Sequence, residues 1–343
     1  MKLESSVRLL RRRPFSGKLS GLNPTVGIGT AAVPGSCGEL VQGMRGGKHF
    51  HVTCPVELYS RVLAVRKAAS GVSAHPHSPK AVRAVEILLE RFQIEEGFEL
   101  FIDRDMPVGK GMASSTSDIA ASCWAVADAL GIDLGPGEVA ELAISVEPSD
   151  GVFYPGIVAF DHVDGGLLKE LGRIELDVVV IEPPSVLDTA WVAENRPRYA
   201  EDDLLKIDEA YLMVAEGIST VSTKMVADGA TLSAEINQRY LPKEHFDDIA
   251  ELALRSGALG VNAAHSGTVM GILADPCSGK MVEERIRPWL PSRYSARTTK
   301  VTGGGKAEVE VEKLRKGTGM HAIIEMALYG ERNANRGASS RRR

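Results

Sequence analysis

Pro107-Val108-Gly109-Lys110-Gly111-Met112-Ala113-Ser114-Ser115-Thr116-Ser117 stands between an alternating apolar run, Phe98 to Ile102, and an apolar-periodic segment that reaches Leu130. The order is strand, glycine turn and first turn of a helix, where free backbone N–H groups and the helix dipole converge on an anion. The helix follows from Ile119, Cys123, Val126, Ala127 and Leu130, whose spacing turns one apolar stripe toward a core. The glycines let backbone approach a phosphate, and the hydroxyls of Ser114, Ser115, Thr116 and Ser117 can donate to it or ligate magnesium. The stretch is not a Walker loop, because Lys110 lies between the glycines instead of closing a G-x-x-x-x-G-K-[ST] pattern. Glycines and serines alone also fit an ordinary Ser-capped helix after a turn.

The whole string, Pro-x-x-x-Gly-Met-x-Ser-Ser-x-Ser from Pro107 to Ser117, resembles the ATP-binding signature of the GHMP kinases, the family of galactokinase, homoserine kinase and mevalonate kinase. The resemblance implies ATP and Mg2+ as cofactors, with Pro107, Gly109, Lys110, Gly111, Met112, Ala113 and Ser114 to Ser117 around the nucleotide phosphates and Ser115 on the metal. It also implies an α+β, two-domain fold: an N-terminal domain like ribosomal protein S5 domain 2 and a C-terminal ferredoxin-like α/β sandwich.

Upstream, the expected strand Val26 to Val33 delivers Pro34-Gly35-Ser36-Cys37-Gly38-Glu39-Leu40-Val41-Gln42-Gly43. This resembles the first motif of the family, a proline-glycine turn followed by Gly-Glu that lines the acceptor pocket, so Ser36 and Glu39 are carried over as substrate-binding residues. Outside the family, Glu39 would read as a surface carboxylate near a turn. Most members have Pro-Gly-x-x-x-Leu-x-Gly-Glu-His; the short form here resembles the branch that phosphorylates L-threonine and is tied to cobalamin side-chain synthesis.

Helix Glu138 to Val146 ends at Glu147-Pro148-Ser149-Asp150-Gly151, where the proline disfavours continuation. A carboxylate at a turn after a helix can face a ligand, and the family has an Asp in this loop as catalytic base or acceptor-orienting group, so Asp150 takes that role; the alternative is an Asx turn or cap. The family's magnesium-binding Glu falls on Glu141, nine residues before Asp150, with Glu147 and Glu138 as alternatives. Ala263-Ala264-His265-Ser266-Gly267-Thr268 replaces the usual third glycine-rich loop, and His265 and Ser266 are its candidates for contacting substrate or phosphate.

With 343 residues the chain has length for about two domains. Expected boundaries are a flexible basic segment 1–24, an ATP-binding domain 25–171, a C-terminal domain 172–312, and an accessory segment with a basic tail over 313–343. Hydrophobic content of 44% and charged content of 25% describe a globular protein, and 40 basic against 45 acidic residues give the body no nucleic-acid footprint. No apolar run nears the ~20 residues of a bilayer span, so a cytoplasmic protein without a membrane partner is expected. Cys37, Cys54, Cys123 and Cys277 have neither zinc nor disulfide spacing. His49 and His51 share one strand face, as do His75 and His77, but a zinc site needs three or four ligands and no third partner is evident.

Further strands are expected over Phe50–Val65, interrupted near Pro55, and over Ile174–Ile181, with a hairpin over Val152–Leu168 turning at Asp164-Gly165-Gly166. The second half alternates helices and strands as a ferredoxin-like sandwich does.

The resemblance implies ATP-dependent phosphorylation of a small-molecule alcohol, L-threonine in the first instance, by an enzyme whose assembly as a homodimer is left open. Homoserine or another small alcohol is the alternative acceptor. A nucleotide-binding regulatory protein is the reading from another class, with the basic termini recruiting nucleic acid.

Overall fold

Two long antiparallel strands, β1 (Ile28–Arg45) and β2 (Lys48–Lys67), run through the middle of the molecule and pair from Ile28 opposite Val65 to Arg45 opposite Lys48. They belong to a computed structural model that describes residues 27–67, 69–185 and 196–309. The basic segment 1–24 and the accessory segment with its basic tail, 313–343, lie outside the described residues.

After β2 come β3 (Val72–His75), α1 (Pro79–Phe92), β4 (Gly97–Arg104), α2 (Ser114–Leu130) and α3 (Pro136–Val146). β4 pairs antiparallel with β2 and parallel with β3 at the edge. Phe98, Leu100 and Ile102 of β4 meet Ile119, Cys123 and Val126 of α2, with Val85 and Leu88 of α1 and Leu142 of α3 closing the far side. Because α2 lies between the sheet and two other helices, it is buried almost all round, which explains its apolar character beyond one stripe. A short 3-10 turn, Gly151–Phe153, and a hairpin of β5 (Ile157–Phe160) and β6 (Leu167–Gly172) complete this half, β5 pairing with β2 at His51 opposite Phe160.

The second half contains β7 (Asp177–Glu182), α4 (Glu201–Ser219), α5 (Thr223–Asn237), α6 (Phe246–Arg255), β8 (Gly260–Ala263), β9 (Met270–Ala274), α7 (Gly279–Ile286) and β10 (Ser295–Lys300). Its strands lie in the order β10-β7-β9-β8 and all pair antiparallel, the ferredoxin-like arrangement expected from the alternation of elements. β8 meets β1 where Glu39 lies opposite Ala263, so one curled sheet crosses both halves and its seam falls on the first motif.

That motif departs from the expected turn. β1 does not end at Val33 but passes through Pro34 to Glu39 as strand, bent by register shifts at Pro34/Gly35, Ser36/Glu39 and Glu39/Val41. The expected break in β2 at Pro55 is also absent. Pro55 stands opposite Ser36 inside the bulged stretch, where a missing N–H disrupts little, and its carbonyl accepts from Thr302.

Candidate active site

A cleft of about 600 Å³ opens where the seam, the N-termini of α1 and α2, and the loop after α3 converge. Gly109, Gly111 and Met112 to Thr116 line one end; Glu39, His51, Asp150, His162 and His265 line the other. Stretches far apart in sequence thus share one cavity large enough for a small-molecule ligand.

At the first end the glycine turn is held open by backbone geometry. Gly109 and Gly111 have φ of 76° and 81°, and Ala113, the residue before α2, adopts φ 54°, a left-handed conformation that a non-glycine residue enters at a cost. The third loop packs on this turn main chain to main chain. The amides of Thr268 and Val269 donate to the Lys110 carbonyl at 3.0 and 3.1 Å, and a Cβ on Gly267 would stand 2.2 Å from that same carbonyl. Ser114, Ser115 and Thr116 of the first turn of α2 line the cleft, and His77, Ser78, Pro79 and Lys80 bring the start of α1 to it as well.

The hydroxyls of the motif divide into separate tasks. Ser115 Oγ donates to the Glu147 carboxylate, which also pairs with Lys80. Thr116 Oγ1 accepts from the Asp150 amide at 3.3 Å and so ties the Asp150 loop to α2. Ser114 is buried and lines the cleft. Ser117 does not reach the cleft: its hydroxyl points inward, 2.8 Å from the Pro34 carbonyl and 2.9 Å from that of Ala113. Lys110 is turned away too, its ammonium donating to the carbonyls of Pro183 and Ser185, and Pro107 lies off the lining.

Glu141 is not brought to Ser115. Its side chain is 68% exposed and pairs with Arg91 at 3.3 Å, whereas Glu147, one of the two alternatives, meets Ser115 directly. The reason is helical phase: Glu141 lies on the outer face of α3, while Glu147 follows its last turn and swings back toward α2. The Ser115–Glu147 pair is a hydroxyl and a carboxylate, the hard oxygen donors that suit magnesium, and the glycine turn with its helix N-terminus suits polyphosphate.

At the other end the electrostatics are unusual. Glu39 is enclosed and Asp150 is partly so, with its side chain 22% exposed; burial raises the Glu39 carboxyl well above its ordinary range with Asp150 adding to the effect, and burial pushes Asp150 up to about 6. His51 lies between them, its Nδ1 3.3 Å from Asp150 Oδ1 and 3.9 Å from Glu39 Oε1. Its ring stacks on that of His162, with centroids 3.8 Å apart and planes within 7°, and His265 closes in at 4.5 Å. Burial holds all three imidazoles neutral, His51 down to about 3 and the other two well below the ordinary value. Ser266 lines the cleft, while Ser36 is buried beside it, its amide donating to Met112 and its hydroxyl unpartnered.

Residues 79–154 match the family description GHMP kinases N terminal domain. The chain is 34% identical over 257 residues to an L-threonine kinase of Citrobacter freundii, covering 72% of this chain and 87% of the relative, and 32% identical over 292 residues to one of Salmonella typhimurium, covering 82% and 96%. The chain belongs to the GHMP kinase family. Among solved structures, this GHMP kinase shares its fold with the homoserine kinase of Cytophaga hutchinsonii (TM-score 0.66, 16% identity, 84% of this chain and 100% of that one). It also shares it with the mevalonate kinase of L. major (TM-score 0.62, 14% identity, 86% and 99%).

As a GHMP kinase the protein is an ATP-dependent phosphotransferase acting on a hydroxyl group. Among the described residues the kinase has no helix long and apolar enough to cross a membrane. Several lining residues escaped the sequence reading. His162 follows β5 with no motif around it, and Lys80 and Arg104 look like ordinary surface cations in sequence. Arg104 lies beside Asp118, which is fully enclosed and also accepts from Ser60 and Ser78. His51 shares a face of β2 with Thr53, which stands opposite Glu39, but that register is not visible in the sequence.

Proposed function

We propose that this kinase transfers the terminal phosphoryl group of ATP to the side-chain hydroxyl of L-threonine, giving O-phospho-L-threonine for cobalamin side-chain synthesis. The observation that carries the reading is likeness to two L-threonine kinases over 87% and 96% of their lengths. The charge of the cleft supports an amino-acid acceptor. Among the described residues neither Glu39 nor Asp150 pairs with a lysine or arginine, and Glu39 Oε2, which is buried, has no hydrogen-bond partner. A substrate ammonium would relieve both at once.

In this reading Gly109, Gly111 and the amides of Ala113 to Ser115 cradle the nucleotide phosphates, with Lys80 adding positive charge at the start of α1. Ser115 and Glu147 hold Mg2+, which neutralises charge on the transferring group when bound. Asp150 orients the acceptor hydroxyl and takes its proton, its raised pKa setting the base near working pH. Glu39 binds the ammonium, and Ser266 stands within the same cleft toward the rest of the acceptor.

Incubation of the enzyme with ATP, Mg2+ and L-threonine, followed by phosphorus NMR and mass spectrometry of the product, tests the reading. A phosphomonoester on the threonine oxygen supports it. Phosphate release with threonine unmodified contradicts it.

A further inference from the structure

Three buried imidazoles converge at the acceptor end of the cleft, from β2, the β5–β6 turn and the loop after β8. Ring nitrogens of His51, His162 and His265 all lie within 4.8 Å of one another. His49 and His51 alone lacked a third ligand; folding supplies His162 and His265 from 111 and 214 positions further along the chain.

The polar atoms of His51 are divided in the way a metal ligand requires. Nδ1 faces Asp150 at 3.3 Å, so it carries the proton, and Nε2 is left as a lone pair that is buried and has no partner among the described residues. A carboxylate that receives the far N–H fixes the tautomer and orients the ring, the outer-shell arrangement of histidine ligands to zinc. Glu39 Oε1, 3.9 Å from the same Nδ1, places a second carboxyl group beside the ring.

We propose that His51, His162 and His265 form a binding site for one divalent d-block cation at the acceptor end of the cleft. An all-imidazole set suits zinc, copper, nickel or iron(II) and does not suit magnesium, whose hard oxygen donors lie at Ser115 and Glu147. Zinc–nitrogen bonds of about 2.0–2.1 Å in tetrahedral geometry bring ligand nitrogens to about 3.3 Å from one another. The His51 and His162 rings are stacked with centroids 3.8 Å apart, so binding one ion between them requires one ring to turn out of the stack. Since all three histidines line the cleft, the fourth position of the ion opens into it, where an amino-acid acceptor can offer its carboxylate.

Cobalt(II) titration of the chelator-treated, full-length protein in excess magnesium tests the site. One equivalent per chain with the visible absorption of a tetrahedral nitrogen-rich centre is expected, weakened at least about tenfold in His162→Gln and in His265→Gln, as loss of even an outer-shell partner does. The double variant His75→Gln, His245→Gln, altering exposed histidines, is expected to bind as the wild type does. Circular dichroism checks that each variant is folded, and zinc is expected to raise the melting temperature of the wild type but not of His265→Gln. Failure to take up a stoichiometric equivalent, equal uptake by the three wild-type and cleft-variant proteins, or loss of uptake in the exposed-histidine variant would overturn the assignment.

Discussion

His51 Nδ1 lies 3.3 Å from Asp150 Oδ1, so a neutral imidazole donates to the carboxylate proposed as base and holds it toward the cleft. With its pKa raised to about 6 by burial, Asp150 accepts a proton only above that value. The rate constant kcat/KM with saturating ATP is therefore expected to fall as pH drops through about 6, and Asp150→Asn to lose about 10²–10⁴-fold of activity. A pH–rate profile checks both; a profile flat from about pH 5 to 8 contradicts the role.

The same burial affects stability, with a definite sign. A carboxyl whose folded pKa is raised from 3.8 to about 6 contributes stability that is fully present below 3.8 and is lost as pH rises through about 6. Without ligand, Asp150→Asn is thus expected to be more stable than the wild type at pH 8, on the order of 2 kcal/mol, with the difference shrinking toward pH 4. Melting curves across pH check this. A variant less stable at every pH would show that the ionised carboxylate is stabilised by partners beyond His51.

Of the three candidates for the magnesium carboxylate, Glu147 lies beside Ser115, Glu141 is exposed beside Arg91, and Glu138 accepts from the Gly135 amide at the start of α3. Glu147→Gln is expected to lower kcat by on the order of 10²-fold and to raise the magnesium concentration needed for half-maximal rate, whereas Glu141→Gln changes either by less than about twofold. Magnesium titrations of the two variants decide it.

Gly267→Ala would put a methyl group 2.2 Å from the Lys110 carbonyl and push the third loop off the glycine turn. Displacements near 1 Å at a positioning loop cost about 10²-fold in rate. A drop of that order in kcat/KM for ATP, with the far-ultraviolet circular dichroism spectrum retained, is the expected result.

The glycine turn and helix start at one end of the cleft were legible in sequence because the pattern is local. A glycine turn and the hydroxyls of one helix start are consecutive residues, and Asp150 is marked by the proline that ends α3. What one residue does within that run was not legible. Ser115 and Ser117 are alike in sequence, yet Ser115 meets Glu147 while Ser117 is spent on the Pro34 carbonyl, a difference set by helical phase against β1. Glu141 and Glu147 were separable only once α3 had a direction relative to α2. The histidine cluster depends on strand register, His51 opposite Phe160, and on a loop from the other half of the chain, so no local pattern could announce it. The ferredoxin-like order of the second half followed from alternation of elements, but the continuity of one sheet through Glu39 and Ala263 did not.

The central claim is that Glu39 and Asp150 form the acceptor end of a threonine kinase. A coupled ADP-release assay with Mg-ATP across L-threonine, L-homoserine, L-serine and mevalonate, run on the wild type, Asp150→Asn and Glu39→Gln, tests it most directly. The highest kcat/KM is expected for L-threonine, with near-complete loss in Asp150→Asn and, in Glu39→Gln, a raised KM for threonine with KM for ATP unchanged. Preference for another acceptor, or threonine turnover indifferent to both substitutions, would contradict it.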